Sequence, residues 1–353
     1  MEIKSGRKFL RFYNQDEYEK NVPQSDQEKK LPSPEVELKF PQGAKLIDLI
    51  SPENLTTKQS TFLSIVNSRV SRRKYLDESI SLEELSYLLW CTQGVKRVLK
   101  LGAFRTVPSA GARCPFETYL YIRKVEGLEP GIYRYISLQH KLIFLKPVEN
   151  GSETFSKLAY NQSFAANGAV LFLWVAVPYR MEWRYTTLSH KFIAIDLGIV
   201  CENLYLACEA RGLGTVAIGY YEQEKLDELL ELNPEEAFSV LIAPVGKVSK
   251  KSDVRKFLTT QKSEPSSEIL KKYLGVYQIP NGPQVEVVFE KEQLMISSDL
   301  FQEPLKPHSD TEFIGGDILR AVRFISDASG SIVKMLVLTG IISDKEIIEL
   351  DKK

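Results

Sequence analysis

The chain is 353 residues long, 43% hydrophobic and 26% charged, and its 46 basic and 46 acidic residues cancel. At roughly 150 residues per domain there is room for about two domains, each with its own core. A zero balance supplies no bulk field for phosphate backbones or anionic membranes, so any anion has to be held by a local cluster of cations, and no nucleic-acid or membrane partner is expected.

The longest nearly unbroken apolar run, residues 168–179, falls well short of the roughly 18 residues that a membrane span requires. The first twenty residues are charged and aromatic, with no apolar stretch leading to small residues, so they do not read as a signal peptide and a cytoplasmic location is expected. Cys91, Cys114, Cys201 and Cys208 contain no CxxC pair, and His140, His190 and His308 lack ligand spacing, so no metal site is expected. Cys201 and Cys208 lie on one predicted helix, ~10 Å apart at 1.5 Å per residue, too far for a disulfide.

Residues 1–55 mix proline, charge and few periodic apolar positions, as expected for an arm ordered only by lying on something else. A helical pattern from about residue 57 carries Phe62, Ile65 and Val66. The next helix opens on Ser81 and Glu84, spaced as a capping box, with Leu82, Leu85 and Leu88 or Leu89 on one face. After a polar, glycine-containing loop, ETYLYIRKV, GIYRYI and KLIFL alternate as strands, the last two as a hairpin. A helix near residues 154–163 leads to GAVLFLWVAVPY, a continuous apolar run that predicts a strand buried on both faces. A long helix, apolar almost all round, follows and is closed by Gly212; so little polar surface requires burial in the protein or in an interface. TVAIGY reads as a strand, EQEKLDELLEL as a helix and AFSVLIAPVG as a buried strand. Polar residues 247–268 read as a linker. Beyond them, short alternating segments predict a small antiparallel barrel or sandwich.

Three segments carry candidate chemistry. Arg69, Ser71 and Arg73 offer two guanidinium forks and a hydroxyl to one phosphate if they share a side of the chain, although a solvated basic helix end reads the same way. The loop at residues 105–113 includes Pro108 and Ser109, small enough to approach a flat ligand, and equally consistent with an ordinary turn. The glycines at 212, 214 and 219 tempt a dinucleotide fingerprint, but that motif runs from strand through glycines to helix, and here a helix precedes and a strand follows.

The order RxSxR, SLEELSYLLW, RTVPSAGAR, ETYLYI with PGIYRY, IDLGIVCENLYLACEARGLGT and IGY resembles nitroreductase-like flavoproteins, especially the SagB-type branch that includes azoline dehydrogenases, over roughly residues 5–250. The resemblance implies an α+β fold, a three-layer sandwich with a mixed central sheet, in residues 56–262. The small β domain at 263–353 faintly resembles a lipocalin-like barrel. The nitroreductase-like resemblance also implies a homodimer with FMN at its interface, with NAD(P)H a possible reductant. Carried over by position, Arg69 and Arg73 hold the FMN phosphate and Ser71 reaches the ring. Pro108 and Ser109 cover the isoalloxazine from the other subunit, though the Asn that often follows is absent. The backbone N–H groups of Gly219 and Tyr220 face flavin N5 and O4, where hydride arrival puts electron density. Lys251 and Arg255 fall where a late cation often joins the phosphate, and Asn161 and Gln162 near the pyrimidine edge.

SagB-type azoline dehydrogenases carry a Lys-Tyr pair where this chain has Arg184-Tyr185. Arginine stays protonated and cannot act as a base, so Arg184 is left to bind an anion and Tyr185 to serve as the acid, or simply to pack on the sheet. The expected activity is FMN-dependent reduction of nitro or quinone-type small molecules. The alternatives are azoline oxidation in a modified peptide substrate and a non-catalytic flavin-binding partner protein.

Overall fold

The computed structural model describes residues 23–56, 61–248, 264–279, 284–299, 301–315, 319–339 and 347–353. The chain divides after Val248 into two compact units.

The first unit is built on a seven-stranded sheet in the order β1 (Leu46–Asp48), β6 (Lys141–Lys146), β5 (Gly131–Ile136), β4 (Phe116–Ile122), β7 (Val170–Ala176), β9 (Phe238–Lys247) and β8 (Leu213–Thr215). Its six pairings are all antiparallel, and parallel pairing among the described residues of this unit is confined to an isolated bridge between Ile80 and Val125. Strand β7 shows why both faces are covered. Val170, Phe172 and Trp174 enter one core with α2 (Leu82–Gln93) and α6 (Ser189–Arg211). Leu171, Leu173 and Val175 enter the other with α3 (Gly151–Leu158), α4 (Phe164–Asn167) and α7 (Gln223–Leu229). Successive strand side chains alternate faces, so a run apolar at every position needs a layer on each side, and the result is a three-layer α+β sandwich.

The capping box forms: Ser81 Oγ accepts from the Glu84 N–H at 3.1 Å, and the Glu84 carboxylate accepts from the Ser81 N–H at 2.9 Å, worth about 1 kcal/mol to the first turn of α2. Helix α6 ends at Gly212, whose φ of +70° is the left-handed cap that glycine adopts without a Cβ clash. TVAIGY differs from its expectation. The strand is Leu213–Thr215, and Ile218 touches the sheet only through a bridge to Ile242.

Two further elements stand where a loop was expected: β2 (Val95–Leu99) and β3 (Gly102–Arg105) form an antiparallel hairpin with a bulge between Val95 and Arg97. The bulge breaks the alternation that would have betrayed the strand. The segment after residue 23 lies against the unit. Gln27 N–H donates to Trp183 O at 2.9 Å, Trp183 Nε1 donates to Leu31 O at 3.2 Å, and Arg134 Nη2 donates to Leu38 O at 3.1 Å.

The second unit is a closed eight-stranded antiparallel barrel, β10 (Gly275–Gln278), β11 (Gln284–Glu290), β12 (Gln293–Ser298), β13 (Phe301–Pro307), β14 (Glu312–Ile314), β15 (Leu319–Ser326), β16 (Ile332–Thr339) and β17 (Ile347–Lys352), with β17 pairing back onto β10. Closure removes the sheet edges. Its interior is packed with Tyr277, Leu305, Phe313, Phe324 and Met335, joined by Tyr273, whose ring stacks on Phe324 with centroids 4.2 Å apart. Among the described residues no helix is long and apolar enough to cross a membrane.

Candidate functional site

Helix α1 (Phe62–Ser68) ends at Ser68, and Arg69 is already extended. The segment that follows is outside any helix or strand, so the helical or turning arrangement expected of Arg69, Ser71 and Arg73 is not the one they adopt. The Arg69 guanidinium lies 5.4 Å from the Tyr205 ring centroid, Ser71 Oγ is 3.1 Å from the Tyr205 hydroxyl, and Arg73 sits 5.7 Å from the Phe164 ring centroid. Arg72 pairs with Glu209, one helical turn beyond Tyr205, at 3.0 Å, and its N–H donates to Thr215 O. Among the described residues neither Arg69 nor Arg73 has a carboxylate partner.

Tyr205 connects this segment to the next. Its hydroxyl accepts from the Ala217 N–H at 2.8 Å, two positions before Gly219. Either hydroxyl of the Ser71–Tyr205 pair can donate to the other. A Cβ at Gly219 would meet nothing within 4 Å, so the chain's own packing does not require glycine there. Tyr220 is 72% exposed and its ring stacks on Tyr160 at 4.4 Å. Gln162 Nε2 donates to Tyr220 O at 3.5 Å, which brings Gln162 to this cluster, while Asn161 is exposed at φ +62°. Two cations without carboxylate partners among the described residues, the Ser71 hydroxyl and an open backbone at Gly219 are groups that could hold the phosphate and ring of FMN.

A second cluster lies on the same helix. Ser109 Oγ accepts from the Cys114 N–H at 2.9 Å, and the buried Asp196 of α6 accepts from the Ala110 N–H at 3.3 Å and from the Ser109 hydroxyl. Gly111, at φ +58°, lies against Tyr185 so closely that a Cβ would sit 2.5 Å from its hydroxyl and 3.2 Å from Arg184 Nε. The structure therefore brings the Pro108–Ser109 loop together with Arg184 and Tyr185. The Arg184 guanidinium lies 5.5 Å from the Tyr185 ring centroid, and Tyr185 packs edge-on against Phe192. Burial, and next the charge of Arg184, push the Arg113 guanidinium below its ordinary value. Asp196 and Tyr205 are nine positions apart on α6, so the clusters are separated by about 14 Å along the helix. Lys251 and Arg255 lie outside the described residues.

Asp196 and Tyr205 went unread in the sequence. A lone acid inside FIAIDLGIV was the available signal, because a buried carboxylate needs donors. Burial raises the Asp196 carboxyl above its ordinary value of 3.8. For a carboxyl raised in the folded state, the native protein takes up the proton first, so its contribution to stability increases as pH falls toward that raised value. Asp196→Asn removes this response. The Tm of the wild-type protein relative to D196N is expected to rise between pH 7 and pH 4, and thermal melts at both ends check it.

The thiols are not part of either cluster's chemistry. All four cysteines are unbridged, and burial raises the Cys201 thiol to about 11 and Cys91 and Cys208 above their ordinary value, keeping them protonated. Among the described residues no group of His, Cys, Asp and Glu is arranged to hold a metal.

With this geometry in place, comparison with known proteins defines the class. Residues 66–247, just over half the chain, match the model of the nitroreductase family. A protein of Methanocaldococcus jannaschii whose name places it among the nitroreductases is 32% identical over 184 residues, 52% of this chain and 89% of that protein. The chain belongs to the nitroreductase family, and so stands among oxidoreductases. Members of this family generally bind FMN and are generally dimeric. Among solved structures, a Ralstonia eutropha protein named as a nitroreductase is 27% identical, with 62% of this chain and 100% of that one covered at a TM-score of 0.49. A chain of the Escherichia coli microcin synthetase McbBCD complex with truncated pro-MccB17 bound is 16% identical, with coverages of 70% and 86% and a TM-score of 0.46.

Proposed function

We propose that the protein is an FMN-dependent oxidoreductase, a homodimer with FMN at the interface, that reduces nitro or quinone-type small molecules with NAD(P)H. The observation that carries this reading is the pair of half-sites on α6. One offers cations without carboxylate partners, the other a loop and a Tyr-Arg pair, and about 14 Å of helix separates them within one protomer. Two copies of the chain complete the site if each supplies the half the other lacks. Exposed Phe62, Leu63 and Val66 on α1 and Ile195 on α6 support such pairing, since apolar surface of this kind is costly to leave in water.

When bound, FMN supplies the redox chemistry, accepting and passing hydride at N5. The chain's residues bind and orient. Arg69 and Arg73 would hold the phosphate, Ser71 would contact the ring, and the Gly219 and Tyr220 N–H groups would offer donors to negative charge on the ring. Pro108 and Ser109 would lie over the ring from the partner subunit, Arg184 would meet negative charge on the substrate, and Tyr185 would donate a proton. For a nitro compound, each two-electron turnover consumes one NAD(P)H and one proton and yields the nitroso compound, NAD(P)+ and water.

The test is an absorption spectrum of the purified protein, followed by anaerobic addition of NAD(P)H. Flavin bands that bleach with reductant and recover with a nitroarene or quinone are expected. Absence of flavin together with failure to bind added FMN overturns the reading, and azoline oxidation without NAD(P)H oxidase activity replaces it with the peptide-modifying alternative.

A further inference from the structure

The β2–β3 hairpin borders a cleft of about 590 Å³ whose lining includes Lys96, Arg97, Phe104, Arg105, Pro108 and Ser109. The last two residues belong to the second half-site, so the cleft opens beside it. The bulge between Val95 and Arg97 breaks the two-residue alternation, and in consequence the consecutive Lys96 and Arg97 both line the cleft. Arg97 stands opposite Phe104 in the hairpin, with its guanidinium 5.0 Å from the ring centroid. Stacking uses the flat face of a guanidinium and leaves its N–H edge for an acceptor.

The charge in the cleft has one sign. No Asp or Glu lines it, and among the described residues neither Lys96 nor Arg97 has a carboxylate partner. Arg105, 5% exposed, donates Nη1 to Gln93 O at 2.7 Å, while its buried Nε has no hydrogen-bond partner. Phe104 is 45% exposed. A concave site of this volume is of the size that encloses small ligands, and its polarity calls for an anion with an apolar, planar body.

We propose that this cleft is the specificity subsite of the enzyme and that it selects small aromatic anions, with a carboxylate on Arg97 and Lys96 and the ring against Phe104. For turnover this inference rests on the oxidoreductase reading above; for binding it does not.

The experiment compares 4-nitrobenzoate with nitrobenzene, by calorimetric titration into the full-length protein and by turnover with NAD(P)H. The wild-type protein is expected to prefer the carboxylate by about tenfold or more, with the preference shrinking as salt is raised. Joint Lys96→Gln and Arg97→Gln substitution reduces that preference about tenfold, whereas Lys100→Gln, an exposed cation of the same hairpin outside the cleft, retains it. Arg97→Lys restores only part, because an ammonium lacks the planar stack. Equal binding of the two compounds, or a preference that survives in the folded double variant, overturns the subsite. Anion-selective binding with no turnover of either compound leaves the subsite standing and counts against the oxidoreductase reading. Turnover of both without preference does the reverse.

Discussion

Joint replacement of Arg69 and Arg73 by Ala is expected to weaken FMN binding by about a hundredfold or more while leaving the fold intact. Each charge-assisted hydrogen bond to a phosphate contributes about 1.5–3 kcal/mol, so losing two arginines costs roughly 3–6 kcal/mol of binding, or a factor of about 10² to 10⁴. Their structural duties are small by comparison. Each makes one contact with an aromatic ring and no ion pair among the described residues, worth about 0.5–1 kcal/mol apiece. Arg72 is the internal control. It pairs with Glu209, both side chains about 15% exposed or less, and Arg72→Ala leaves that carboxylate with little solvent to compensate it. Arg72→Ala should therefore lower stability by about 2 kcal/mol and alter FMN affinity little. Flavin fluorescence titration reads the first effect. Tryptophan fluorescence melts read the second, because Trp90, Trp174 and Trp183 all lie in the first unit and report on it alone. Unchanged FMN affinity in the R69A/R73A variant would refute the phosphate assignment.

Much of this architecture is legible in the sequence because it follows from local chemistry. Ser81 and Glu84 satisfy orphan backbone donors at a helix start, and Gly212 supplies a left-handed cap at a helix end. The apolar run in β7 admits only a strand with cover on both faces. What stayed hidden depends on partners distant in sequence. Three arginines within five residues look alike, and only Glu209, more than a hundred positions away, distinguishes the structural Arg72 from its neighbours. Strand β13 contains Pro304 and Pro307, whose missing N–H argues against a strand in the sequence, and Pro304 is accommodated because β14 pairs with β13 only at Lys306 and Pro307. The β2–β3 hairpin was masked by its bulge, and with it the cleft beside Ser109. In the candidate site, the phosphate and loop segments were recognisable by order. Their anchors, Tyr205 and Asp196, were not, since each sits on α6 among apolar residues and acquires its role only when the loops fold onto it.

The helix that presents Arg184 and Tyr185 is itself held by a buried ion pair, and breaking that pair should produce the largest loss of stability in the first unit. Arg180, in α5 (Tyr179–Tyr185), pairs with Glu117 of β4 at 2.5 Å, with side chains 1% and 4% exposed. Glu117 also accepts from the Leu38 N–H at 2.7 Å, and Arg180 Nε donates to Glu35 O at 2.9 Å, so the pair ties together the sheet, α5 and the chain segment before β1. Glu117→Ala leaves a guanidinium in the interior without its counter-charge, a change that costs about 3–5 kcal/mol. At about 2–4 °C per kcal/mol for a unit of this size, the tryptophan-monitored Tm should fall by roughly 6–20 °C. Converting both partners, Glu117→Leu with Arg180→Met, removes the stranded charge and should recover a large part of the loss. Recovery should stop short of the wild-type value, because the Leu38 N–H loses its acceptor in both variants and the double variant also takes Arg180 Nε from the Glu35 carbonyl. A double variant no more stable than Glu117→Ala would show that these backbone contacts, rather than the charge pairing, hold α5 in place.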